Sequence, residues 1–295
     1  MTQENQSFPD NIFGINAKEA YDRVLSSPDV KPKDKEPKQE DKNIGSYNPE
    51  KVFILKYDDF GKLLVRKVNE RFKGTQVQIP TNLDANQEIP INNLTRSALV
   101  TIISKEPELR ALGLYPITLL ESELLLQGNK LPKDPSTYWE DLALILYDHS
   151  DQGANPKEAK ALYDSIKEHK NFNLISLTDS GLEQRLLIVN AGLEVDPDFS
   201  KGVKPKLIPR VTQIIVHPTL RQTGKDHKFS YGLDHGLPPV QSLGTGNRIL
   251  LMPSSNENIG LRVLFRYWVL NLYAWIEILV DSSEVGRVTF AKKSA

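Results

Sequence analysis

Apolar residues fall into three successive textures along the chain, and the spacing within each predicts a different set of elements. The first texture opens with "KVFILKYDDFGKLLVRKV", two apolar-rich runs joined by Asp58, Asp59 and Gly61, which reads as a hairpin. "TQVQI" alternates ahead of Pro80 and reads as a strand, and "NLTRSALVTIISK" reads as a short helix. "YPITLLESELLLQ" fits either a helix or a strand.

The second texture, between about 136 and 191, predicts three helices joined by short loops. Thr137 with Glu140 makes a capping-box pattern ahead of "LALILY". Asn155-Pro156 opens "PKEAKALYDSIKEHK", with proline in the first turn where its missing N–H costs nothing. Ser180 with Glu183 makes a second box before "QRLLIVNAG", where Gly192 is placed to end the helix.

After about 205 the texture becomes strands and turns. "RVTQIIVHP", "HKFSYGL" and "NRILLMP" are separated by Gly and Pro clusters, and "EVGRVTFAKK" reads as a further strand. There is neither a repeat of solenoid length nor the regular strand–helix alternation of a doubly wound sheet. The class is therefore α+β: a mixed N-terminal portion, a helical middle and a strand-rich C-terminal portion, carried behind an extended N-terminal arm.

One run, "LRVLFRYWVLNLYAWIEILV" at 261–280, has the length of a membrane span. Arg262, Arg266 and Glu277 would each cost roughly 2.5–3.5 kcal/mol near a bilayer centre. At helical spacing these charges gather on one side with Tyr273 and Asp281, so the reading taken is a buried amphipathic helix. Two strands, "VLFRYWVL" and "YAWIEILV", with parity shifting near Asn271, are the alternative.

Ahead of all this, Asn16 can cap a short helix that gathers Ala20, Tyr21, Val24 and Leu25, with Phe8, Ile12 and Phe13 adding apolar bulk upstream. "PDVKPKDKEPKQEDKNIGSYNP" follows, rich in Lys, Asp, Glu and Pro, and reads as a hydrated linker. About 20 such residues span roughly 25 Å as a coil and up to about 70 Å when stretched. The organisation so far is a docking arm at 1–26, a linker at 27–48, an α+β domain at 49–204 and a strand-rich region at 205–295 holding the amphipathic segment.

Composition removes some chemistry. The chain of 295 residues has no cysteine, which excludes disulfides, thiolate metal sites and Cys nucleophiles. Its 37 basic and 38 acidic residues leave no global field toward nucleic acid or an anionic membrane, although local basic patches leave room for nucleic acid. The opening residues lack the basic and apolar regions of a signal peptide, so the expected location is the cytoplasm, or a particle packaged there.

The candidate chemistry is sparse. "KDHKFSYGLDHGLPP" sets two Asp-His pairs eight residues apart, and His217, His227 and His235, with Asp226 or Asp234, are weak candidates for a transition metal. The spacing that puts two rings on one helix face is absent, so a polar loop with capping histidines is the plainer reading. Pro197-Asp198 followed by Asp226-His227-Lys228 matches a short nuclease pattern, in which Asp198 and Asp226 would hold Mg²⁺ and Lys228 would support the attacking water. "DHSDQGANPKEA" resembles a calcium loop but has Ala159 where a bidentate glutamate is needed. "GTG" at 244–246 precedes a strand rather than a helix, so it reads as a turn. The aromatic residues Tyr267, Trp268 and Trp275 suit core or interface packing.

No cofactor is implied. The function expected from the sequence is a non-enzymatic structural component of a large assembly, a phage or virus particle first (neck, tail, baseplate or capsid-associated). Phe8, Ile12, Phe13, Tyr21, Val24, Leu25, Tyr267, Trp268 and Trp275 would meet neighbouring subunits. A Mg²⁺-dependent nuclease and a soluble adaptor or regulator are the alternatives.

Overall fold

The computed structural model describes residues 49–134, 138–148, 155–168, 185–199, 201–224, 227–253, 260–267, 270–275 and 286–292, and the backbone of 11–12, 15–16, 177–178 and 181–182. The chain divides into two units, Met1–Gly45 and Ser46–Ala295. In the first, β1 (Asn11–Ile12) pairs antiparallel with β2 (Ile15–Asn16). Phe8, Phe13, Tyr21, Val24 and Leu25 lie outside the described residues, as does the linker.

The second unit begins with β3 (Lys51–Ile54) and then α1 (Asp59–Arg71). The expected hairpin is thus a strand followed by a helix. Leu64, Val65, Val68 and Phe72 recur at helical spacing and are all buried, and the Asp58 side chain caps the first turn by accepting from Gly61 N at 2.9 Å. "TQVQI" does alternate, burying Val77 and Ile79, but has no ladder partner among the described residues. The Asn69 amide replaces one, donating to Ile79 O at 2.8 Å and accepting from Ile79 N at 2.9 Å.

The helix α2 (Asn93–Lys105) lies where the sequence places it, closed by a reciprocal Asn92–Thr95 capping box. A short α3 (Pro107–Ala111) leads to β4 (Leu114–Pro116), and Thr118 with Glu121 caps α4 (Leu119–Gln127). The ambiguous run is therefore strand and helix in turn.

Of the three helices expected between 136 and 191, α5 (Pro156–Glu168) is present, opening at Pro156. The other two runs are β5 (Glu140–Leu146) and β8 (Leu186–Val189), with the small pair β6 (Leu177–Thr178) and β7 (Gly181–Leu182) before β8. Every residue of β5 and β8 is buried, because both faces of their sheet are covered; a continuously apolar run carries no period that separates strand from helix. Gly192 ends no helix: it starts β9 (Gly192–Val195), where an added Cβ would come within 2.3 Å of Ile208 Cδ1.

The remaining strands are β10 (Val203–Lys206), β11 (Gln213–Val216), β12 (His227–Phe229), β13 (Arg248–Leu251), β14 (Leu261–Tyr267), β15 (Asn271–Trp275) and β16 (Thr289–Lys292). The amphipathic helix expected at 261–280 is replaced by the antiparallel pair β14–β15, with Phe265 opposite Tyr273. Alternation explains the charges there, since Arg262, Leu264 and Arg266 share one strand face while Val263 and Phe265 share the other. No described helix is long and apolar enough to cross a membrane.

A seven-stranded sheet, ordered β11-β8-β5-β14-β15-β13-β12, forms the centre; its neighbours are antiparallel except β13 with β15. It draws strands from both sides of residue 205. On one face Leu144, Ile188, Val263 and Phe265 join the core built with α1, α2 and α5. On the other, Ile145, Leu187, Leu264, Leu272 and Leu250 pack with Leu119 of α4 and with Leu220, Phe229 and Leu237. The three-stranded sheet β3-β16-β4 and the hairpin β9–β10 complete an α+β fold.

Candidate functional site

The histidine-rich stretch condenses around one turn. Asp234 and Leu237 exchange backbone hydrogen bonds of 3.1 and 2.9 Å, and the two residues between them, His235 and Gly236, have φ of 54° and 94°. Two successive positive φ values mark a tight hairpin turn, with glycine at its second central position. Gly236 is needed twice over, since an added Cβ would also stand 2.3 Å from Leu119 Cγ.

His217 follows β11 and is buried beneath this turn. Its Nδ1 accepts from Thr219 N at 3.2 Å, capping the 3-10 turn Pro218–Arg221. Its Nε2 faces Asp234 Oδ2 at 3.2 Å, a charge contact without the alignment of a good hydrogen bond. With Nδ1 occupied as an acceptor, the neutral ring carries its proton on Nε2, so in the neutral form both nitrogens are committed and neither is open to a metal. Burial pushes the His217 pKa down, outweighing the opposing pull of Asp234.

His235 is exposed, its Nε2 3.8 Å from Asp234 Oδ1. His227 stands elsewhere, with Nε2 3.1 Å from Thr223 O. The structure thus brings His217 and His235 to Asp234 and leaves His227 apart. Among the described residues no group of three His, Asp or Glu is placed to hold a metal ion.

Of the nuclease residues, Asp198 and Lys228 sit on different elements. Asp198 belongs to the β9–β10 turn, where its N–H bonds Asp196 Oδ1 at 3.1 Å and Asp196 pairs with Lys204 at 3.0 Å. Lys228 is exposed on β12, at the edge of the large sheet, and Asp226 lies outside the described residues. In the calcium-like loop, Asp148 Oδ1 accepts from Gly260 N at 2.8 Å and Asn155 Nδ2 donates to Leu261 O at 2.8 Å. Residues 149–154 lie outside the described residues.

Tyr267 is half-buried, its ring 4.6 Å from that of Trp139, which stacks on Phe265 at 4.0 Å; burial raises the Tyr267 pKa. Trp268 and the Trp275 side chain lie outside the described residues.

The polar feature that sequence reading missed is a buried file of alternating charges. Arg248 of β13 grips Glu123 of α4 at two points, Nη1 to Oε2 at 2.5 Å and Nη2 to Oε1 at 2.8 Å. Arg266 of β14 approaches the same Glu123 at 3.9 Å and pairs with Glu140 of β5. Glu140 Oε1 also accepts from Thr289 N at 3.2 Å, tying in β16. A β-bulge at Leu264/Phe265 sets this register, placing Glu140 rather than Asp141 opposite Arg266. Two cations and two anions cancel, so the file holds elements together and leaves no net charge for a ligand.

Outside this file, the buried guanidinium of Arg96 on α2 donates to Asp141 O at 2.8 Å, to Ile117 O at 2.8 Å and to Asn190 Oδ1 at 3.1 Å. Burial lowers its pKa while Glu140 and Asp141 oppose that. The sequence signal for all these groups was available: lone charges inside apolar words such as "LLESELLLQ" and "LRVLFRYWVL".

No protein-family model matches the chain, and no curated protein or solved structure is detectably similar to it.

Proposed function

We propose that this protein is a non-enzymatic component of a large protein assembly, with a phage or virus particle as the first setting to examine. The observation that carries the reading is the division of the chain at Gly45, which separates the apolar segment and most of its polar tether from the folded body as a unit of their own. Such an arm gains affinity for a neighbour from its high effective concentration once the body is in place. Residues 8–25 would dock, the linker would supply reach, and the body would supply a fixed interface.

The buried polar chemistry of the body suits this role. The charges of the Arg248–Glu123–Arg266–Glu140 file balance, and His217 caps a turn through Nδ1 and faces Asp234 through Nε2. Burial also pushes the Tyr138 and Tyr147 hydroxyls well above the ordinary tyrosine range, so both are neutral groups rather than bases. Deleting residues 1–48 tests the reading: the body should keep its circular-dichroism spectrum and lose affinity for its assembly. Unchanged assembly by the truncated chain would remove the arm from the account.

A further inference from the structure

His217 holds two pieces of chain at once. Through Nδ1 it caps the 3-10 turn Pro218–Arg221 by accepting from Thr219 N at 3.2 Å, and through Nε2 it faces Asp234 Oδ2 at 3.2 Å in the tight turn above. Thr219 joins the same two pieces, since its hydroxyl donates to Pro238 O at 2.6 Å. Arg185, just ahead of β8, braces the 3-10 turn by donating to Leu220 O at 2.6 Å. Leu220 and Leu237, one on each piece, are fully buried in the cluster that holds Leu119, Leu187 and Phe229.

This arrangement requires a neutral ring. A protonated imidazole carries a hydrogen on each nitrogen and has no acceptor left. A proton on Nδ1 therefore turns the bond to Thr219 N into two donors 3.2 Å apart. Thr219 is fully buried, so its amide loses its acceptor where solvent does not replace it, which is the costly case. Of the charged groups packed around the ring, Asp234 favours the proton and His235 opposes it. Asp234 compensates weakly, because its side chain is half exposed and its contact lacks hydrogen-bond alignment. Arg185 and Arg221 bring further positive charge to the 3-10 turn.

We propose that residues 217–222 and 234–239 form an acid-operated clamp: protonation of His217 breaks its cap on Thr219 and lets both segments lift from the sheet, uncovering Leu220 and Leu237. The uncovered surface is apolar, so acid turns a closed face of the body into one that can bind an apolar partner. Burial holds the His217 pKa down, which agrees: the ring takes its proton more readily once released. Opening is linked to one proton, so its equilibrium constant rises by at most about ten-fold per pH unit, between 6.5 and the folded-state pKa. The clamp rests on no part of the assembly reading.

The test is hydrogen exchange on the full-length chain at pH 7.5 and 5.5, corrected for the intrinsic pH dependence of exchange. The amides of Thr219, Leu220, Gln222 and Leu237 are all bonded within the clamp. Their opening should rise several-fold on acidification, with little dependence on urea, and at pH 5.5 they should be at least about ten-fold less protected than β5 and β8. His217→Asn supplies an acceptor that does not titrate and should abolish the rise, whereas a rise driven by the exposed His235 would survive it. The ¹⁵N shifts of the wild-type imidazole need no variant and should place the proton on Nε2 at pH 7.5. Clamp amides as protected as β5 and β8 at pH 5.5, opening that ignores pH, a rise that persists in His217→Asn, or a neutral ring with its proton on Nδ1 would each overturn the proposal.

Discussion

Arg248 and Glu123 meet in a two-point ion pair, 2.5 and 2.8 Å, with both side chains buried. The arginine also donates to Leu270 O at 2.7 Å and lies over the Phe229 ring at 4.4 Å, while the glutamate accepts from Gly232 N at 2.8 Å. The pair thus fixes α4 and the 230–237 segment onto the sheet. Removing one member of a buried pair leaves the other uncompensated, so Arg248→Met should destabilise by roughly 3–5 kcal/mol. Adding Glu123→Gln to that variant should recover part of the loss, because the stranded charge goes too. Urea denaturation across the four-member cycle measures the coupling.

His217 gives stability a pH dependence of known sign. Its folded-state pKa lies below 6.5, so between that value and 6.5 the unfolded chain binds more protons than the folded one. Stability therefore falls as pH drops below about 6.5 and stops falling, for this group, beneath the folded-state pKa. His217→Asn keeps a capping oxygen for Thr219 N and removes the titration. The wild-type urea midpoint should drop more than the variant's between pH 7.5 and pH 5.5; equal drops would show that His217 is not the group responsible.

Gly236 and Gly244 separate clash from strain. Both have positive φ, 94° and 98°, but a Cβ at Gly236 meets Leu119 whereas at Gly244 it meets nothing within 4 Å. Gly244→Ala should cost about 1 kcal/mol of backbone strain, and Gly236→Ala clearly more. Thermal melts of the two variants compare them directly.

The same residues show what the sequence made legible. Strands flanked by Gly and Pro, such as β12 and β13, were readable because turn chemistry is local. β5 and β8 were not, because a sheet covered on both faces has no polar side to reveal its period, and in β14 Arg262 and Arg266, four residues apart, fit a helix face as well as a strand face. The capping-box pattern at Thr137 and Glu140 misled for a related reason: Glu140 turns to Arg266 instead, a partner 126 residues away. Asp234 illustrates the reverse: the polar-loop reading of its stretch fits the tight turn at His235-Gly236 and the capping role of His217.

The arm is the part of the account most open to a single measurement: light-scattering mass of the purified full-length chain beside the chain lacking residues 1–48. The account predicts a defined oligomer for the full-length protein and a smaller species for the truncated one. Identical masses for the two at every concentration would contradict it.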